Sequence, residues 1–152
     1  MALNITSILG IATTVCIGLM TGVEFAVSAF INPVLAKLDD RTRVTVLRLF
    51  GAKLGFVMPF WYSLGFLLLL AEIFLHRHQP QLSLLCTAAG IWAAVIVFTL
   101  LFLVPINNRM LRLSDIPPRD ALREYKRWDS MHRVRIAALT TAMILFLIAI
   151  HA

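Results

Sequence analysis

The chain has 152 residues, about the length of one domain. Its 60% hydrophobic content and mean hydropathy of +0.86 exclude a soluble domain, which at this size cannot hide so much apolar surface. The net charge of +6 would suit nucleic acid, but the charges fall in two blocks beside apolar runs, which argues against a nucleic-acid partner and for the lipid bilayer.

Apolar runs of roughly 18 residues or more read as transmembrane helices. Four occur, at about 5–31, 52–75, 82–104 and 119–150, with the last entering the membrane from about 132. The expected fold is all-α: a transmembrane four-helix bundle with cytoplasmic amphipathic extensions, forming a single integral membrane domain over 1–152. The first run is too long for a secretory signal core and has no basic region ahead of it, so it reads as a retained helix. Asn4-Ile5-Thr6 fits a glycosylation triplet but abuts the membrane, and is taken as chance.

In the first run, Gly18 and Gly22 form a small-residue ridge that suits either close packing within the bundle or a homo-oligomer. Glu24, Ser28 and Asn32 follow at one-turn spacing and share a face. A charge inside a membrane helix costs about 2.5–3.5 kcal/mol on insertion scales, so Glu24 needs a partner or a task. Pro33 should end or kink this helix. Val34–Leu49 then mixes apolar and basic residues at helical spacing, as an amphipathic interfacial segment or a plain connector would.

The second helix opens near Lys53 and carries Phe56, Pro59, Phe60, Trp61 and Tyr62, and Pro59 should bend it. Near its far end Glu72 and His76 can pair at i, i+4. An interfacial Glu beside His76-Arg77-His78 is the plainer reading. The third helix looks like a packing helix that breaks at Val104-Pro105-Ile106-Asn107-Asn108. Asp115-Ile116-Pro117-Pro118 marks a turn. From Arg119 a new helix starts. Tyr125, Trp128, His132, Arg135 and Leu139 lie on one face of it, and Asp129 can pair with Arg133.

Lys37, Arg41, Arg43, Arg48 and Lys53 lie between the first two helices. Arg109, Arg112, Arg119, Arg123, Lys126, Arg127, Arg133 and Arg135 lie between the last two or just inside the fourth. The middle connection carries only Arg77. By the positive-inside rule both basic loops are cytoplasmic, and both termini and the His76–Gln81 loop are outside, in the plasma membrane. Cys16 and Cys86 sit in apolar helices without paired spacing and read as buried thiols.

Topology and helix phase bring Glu24, Asn32, Asn107, Asn108, Trp128, His132 and Arg135 to the cytoplasmic end of the bundle. Each has a bland reading alone: aromatic belt for Trp128, snorkelling for Arg135, helix capping for the amides. Together they predict one pocket, with Phe25, Phe56, Phe60 and Trp128 as an aromatic wall for a flat lipophilic molecule. Glu24 and His132 can exchange a proton. They can also ligate a metal, although two ligands are too few to favour one, and no cofactor is expected. No Gly-rich nucleotide loop, Ser-centred hydrolase motif or Cys-x-x-Cys is present.

Gly18-Leu19-Met20-Thr21-Gly22-Val23-Glu24-Phe25 with Asn32-Pro33-Val34-Leu35, Val104-Pro105-Ile106-Asn107-Asn108, and Trp128 followed by Met131-His132-Arg133-Val134-Arg135 resemble, in order, the motifs of the anthrone oxygenase-like membrane family. The resemblance implies oxygen-dependent oxidation of an activated phenolic carbon without a conventional flavin or haem. It implies His132 or Glu24 as base, with Asn107, Asn108 and Arg135 holding the developing phenolate. The expected function is therefore a small membrane monooxygenase acting on an anthrone- or quinol-like molecule. The alternatives are a non-catalytic membrane protein (assembly factor, small-molecule binder or transporter subunit) and a metal-dependent variant using Glu24 and His132.

Overall fold

The computed structural model describes residues 4–111 and 119–152. The turn expected at Asp115-Ile116-Pro117-Pro118 lies outside the described residues. The described regular structure is helical throughout: α1 (Ile5–Ala26), a π-helical turn (Val27–Ile31), α2 (Asn32–Leu35), α3 (Asp40–Leu75), α4 (Leu82–Phe98), a second π-helical turn (Thr99–Leu103), α5 (Val104–Leu111) and α6 (Arg119–His151). Four stretches are long and apolar enough to cross a bilayer: Ile5–Leu35, Asp40–Leu75, Leu82–Arg109 and Arg123–His151. Many large apolar side chains, among them Phe56, Phe74 and Leu67, stand fully outward on their surfaces. These features mark an integral membrane protein organised as a four-helix bundle.

α1 packs on α3 and α6, and α4 packs on the same two, closing a ring. Small residues let the helices approach. Trp92 fills the centre, completely buried, and its indole N–H donates to the Tyr62 carbonyl at 3.0 Å. A Cβ on Gly65 would lie 2.7 Å from the Trp92 ring, so only glycine admits that contact. Ile17, Met20, Leu69, Leu139 and Phe146 complete the core around it. The Gly18 and Gly22 ridge takes no part in this packing: among the described residues nothing lies within 4 Å of a Cβ built at either. Cys16 is half-buried and Cys86 is exposed on the apolar exterior, so Cys86 is not the buried thiol expected.

The break expected at Pro105 is not made, and at Pro33 the first span changes pitch rather than stopping. Neither Pro33 nor Pro105 ends its helix. Each is preceded by a five-residue π turn, Val27–Ile31 or Thr99–Leu103, that closes two residues before the ring. The two segments share a pattern, Phe30-Ile31-Asn32-Pro33 and Phe102-Leu103-Val104-Pro105. Widening the turn gives the ring room and shifts the ladder past the missing donor, so the chain continues to Leu35 and Leu111. Pro59 sits inside α3, which remains one helix throughout.

The second helix also starts earlier than expected, at Asp40 rather than near 52. The Asp39 carboxylate caps it, accepting from the Thr42 N–H at 3.0 Å. That bond holds the Asp39 carboxyl below its usual range. The supposed interfacial segment is thus the first third of α3. Arg43 ties it to the preceding helix end, donating to the carbonyls of Leu35 (2.9 Å), Ala36 (2.7 Å) and Leu38 (3.1 Å). Asn4, in the chance glycosylation triplet, is the cap of α1, accepting from the Ser7 N–H at 2.8 Å.

Candidate functional site

The π turn begins just after Glu24, where the first span changes pitch. π turns loosen the carbonyl ladder and often sit at functional sites. Here the Glu24 main-chain carbonyl accepts a hydrogen bond from His132 Nε2, 3.1 Å away on α6. A carbonyl can only accept, so the His132 proton resides on Nε2 and Nδ1 carries the lone pair.

The Glu24 side chain is 2% exposed and has three partners. Its Oε1 accepts from the Tyr62 hydroxyl at 3.0 Å. Its Oε2 accepts from Arg135 Nη2 at 2.5 Å and lies 3.2 Å from His132 Nδ1. The same Arg135 nitrogen is 2.8 Å from His132 Nδ1, so one guanidinium bridges carboxylate and imidazole. The Arg135 nitrogen closes a triangle with Oε2 and Nδ1. Among the described residues no group of three His, Cys, Asp or Glu side chains is placed to hold a metal. The first and last spans therefore meet through a compact buried cluster.

That cluster forms one wall of a cavity of about 300 Å³ at the end of the bundle that carries the two basic connections. Trp128 stacks on His132 with ring centroids 4.6 Å apart, and Tyr125 stacks on Trp128 at 6.4 Å, both at 14° between planes. These rings follow the one-face spacing of α6 and form a stack along that wall. The opposite wall is largely aliphatic, with Leu54 and Met58 from α3 and Ile96 and Leu103 from the third span. Gly51 and Gly55 leave the α3 side open, and exposed lining residues on α3 and the third span mean that the cavity opens sideways to the apolar exterior. Tyr125 Oη, Thr99 Oγ1 and Arg135 Nε, on cavity-lining residues, are buried and have no hydrogen-bond partner among the described residues. Each is a donor left to be satisfied.

Of the residues singled out from sequence, Glu24, Asn32, Asn107, Trp128, His132 and Arg135 all line this cavity. Asn32 also donates to Asp129 at 2.6 Å, and Asp129 accepts from Arg133 at 2.6 Å, pinning the first span to α6. Asn108 is exposed and stands outside the lining, one helical step round from Asn107. Phe60 is 69% exposed and pairs with Phe56 on the outer face of α3, at 5.7 Å between rings. Phe25 also faces outward, against Phe30. In a membrane both faces of a helix are apolar, so these rings can face lipid without cost, and the expected wall of Phe25, Phe56 and Phe60 is not built. Tyr62 takes that place. Sequence reasoning passed over it as one aromatic among several, although Tyr62 stands two positions from Phe60 and therefore on another face. Thr99 and Tyr125 complete the polar set.

Comparison with known proteins returns one family, described as anthrone oxygenase, whose model matches residues 47–145. The match runs from the early part of α3 into α6 and includes Tyr62, Asn107, Trp128, His132 and Arg135, while Glu24 and Asn32 precede it. No curated protein and no solved structure matches the chain. With the match covering more than half of its length, the chain belongs to the anthrone oxygenase family.

Proposed function

We propose that this protein is a membrane oxidoreductase that oxidises a flat lipophilic phenol, anthrone- or quinol-like, with molecular oxygen, at the cavity beside Glu24. The observation that carries this reading is the contact of Glu24, His132 and Arg135 on the wall of an apolar cavity lined by stacked rings. A carboxylate and an imidazole 3.2 Å apart act as one basic unit. A planar substrate lying along the stacked rings would present its acidic carbon to that unit and its oxygen to the Arg135 guanidinium and the Tyr125 hydroxyl.

The chemistry balances with oxygen as the sole co-reactant. The basic unit takes the proton from the activated CH2 carbon. The electrons left behind spread into the ring system as a phenolate, which the Arg135 and Tyr125 donors stabilise. The anion reduces oxygen and bonds to it at that carbon, giving a hydroperoxide. Loss of water from the hydroperoxide leaves the carbonyl of the quinone. One oxygen atom ends in the product and the other in water. Asn107 holds the substrate's second oxygen.

The positive-inside pattern of the basic connections favours the cytoplasmic side of the plasma membrane for this end of the bundle, with both termini outside. The sideways opening suits a substrate that arrives dissolved in lipid. The test is oxygen uptake by the purified protein in detergent with a panel of anthrones and quinols. The expected result is one oxygen molecule consumed per quinone formed, at a rate well above the spontaneous one. A rate equal to the protein-free control across the panel would remove the enzymatic reading.

A further inference from the structure

We propose that Glu72 anchors a second binding site, at the opposite end of the bundle, for a primary ammonium group. This site does not depend on the function proposed for the Glu24 cavity.

Glu72 is completely buried near the end of α3. Its Oε1 lies 3.0 Å from the Thr13 hydroxyl, whose one hydrogen is shared with the Leu9 carbonyl 2.9 Å away. Among the described residues its Oε2 is buried with no hydrogen-bond partner, and His76 Nδ1 is 3.4 Å away. That nitrogen is already engaged: it lies 2.9 Å from the Glu72 main-chain carbonyl. A carbonyl only accepts, so His76 carries a proton on Nδ1, and in the neutral ring Nε2 is an acceptor. His151 repeats the arrangement one helix away, with Nδ1 2.8 Å from the Leu147 carbonyl, which leaves its Nε2 as an acceptor as well.

Glu72, His76 and His151 line a cavity of about 420 Å³ together with Ser7 and Gly10. A Cβ at Gly10 would stand 3.9 Å from Ile150 Cδ1 and 4.0 Å from Glu72 Oε1, so the helix backbone passes close to the carboxylate here. The site thus offers one unpartnered carboxylate oxygen, two imidazole lone pairs and a serine hydroxyl, nearly all acceptors. Its complement is a compact cation with several N–H donors. A primary ammonium carries three donors and works at hydrogen-bond distances. A zinc ion would need its ligands converging to about 2 Å, and no described trio of His, Cys, Asp or Glu side chains is so placed. The cavity lies at the ends of membrane-spanning helices, where lipid headgroups sit, so the ammonium can belong to an aminophospholipid or to a free amine.

The full chain in nanodiscs of equal phosphatidylethanolamine and phosphatidylcholine, released into the mass spectrometer, reads the preference directly. The wild type should retain phosphatidylethanolamine about tenfold over phosphatidylcholine, the scale of one charge-assisted hydrogen-bonded contact. Glu72→Gln should erase that preference. Because the variant can fail to fold, the wild type is also tested with N-methylated phosphatidylethanolamines, and retention should fall at each methyl added. Soluble ethanolamine that displaces the lipid identifies the ammonium group alone as the determinant, and lipid that resists it identifies the headgroup as the source. Equal retention of both lipids by the wild type, indifference to methylation, an unchanged preference in folded Glu72→Gln, or stoichiometric zinc that expels the lipid would each overturn the assignment.

Discussion

Glu24→Gln is the most informative perturbation of the polar cluster. In the wild type the Glu24 carboxylate is 2% exposed and Arg135 is 8% exposed, with 2.5 Å between their atoms. Glutamine keeps the shape and still accepts from Tyr62, but it leaves the guanidinium buried without a counter-charge. Removing one partner of a buried ion pair costs about 3–5 kcal/mol, and the retained Tyr62 bond returns about 1 kcal/mol, so a loss of about 2–4 kcal/mol is expected. Arg135→Met should cost a similar amount for the opposite reason. The double variant leaves no orphaned charge, and its loss should fall short of the sum of the two singles by about 2 kcal/mol or more. Unfolding in mixed micelles, followed by circular dichroism, measures all three. A Glu24→Gln protein within about 0.5 kcal/mol of wild type, or strictly additive losses, would refute the reasoning that the two charges depend on each other.

Other consequences can be checked with the same unfolding titration or by amide exchange. Gly65→Ala should cost about 1–3 kcal/mol, because its Cβ would stand 2.7 Å from a Trp92 ring that the core holds fixed. Arg43→Ala should cost about 1–2 kcal/mol by releasing three carbonyls at the junction of α2 and α3. The Asp39 carboxyl is held low by the Thr42 N–H, so its contribution is full above the unfolded carboxyl value and is lost as pH falls through the lower folded one. Protection of the Thr42 amide, its exchange measured against the unfolded-chain rate at the same pH, should therefore fall on acidification below about pH 4, while protection in the core of α4 stays unchanged.

The meeting of Glu24 with His132 and Arg135 was legible because three regularities agree. A charge in an apolar span needs a partner, the basic loops fix which ends lie together, and helical spacing puts His132 and Arg135 on one face. The side-chain direction of the phenylalanines was not legible. Sorting inward from outward faces relies on polar residues marking the outside, and lipid removes that mark. Phe60 and Tyr62 looked equivalent, yet one faces lipid and the other holds Glu24. The early start of α3 was missed because its basic residues lower the hydropathy of the segment. Asp39 with Thr42 three residues on was a capping signal available in the sequence. The π turns were not legible either, since proline announces a disturbance without saying whether the helix will stop, bend or widen. At the other end Glu72 and His76 were seen as a pair, but Thr13 and His151 come from other helices and only the packing brings them near.

Proton removal from the substrate is the step on which the proposed function stands, and it can be observed apart from oxygen chemistry. Adding an anthrone under strict anaerobiosis should produce the visible absorption of its phenolate anion in wild-type protein at a pH where the free compound stays neutral. His132→Ala, shown by circular dichroism to be folded, should bind the same compound without ionising it. Ionisation of equal extent in the variant, or none in the wild type, would contradict the assignment of the Glu24 and His132 pair as the base.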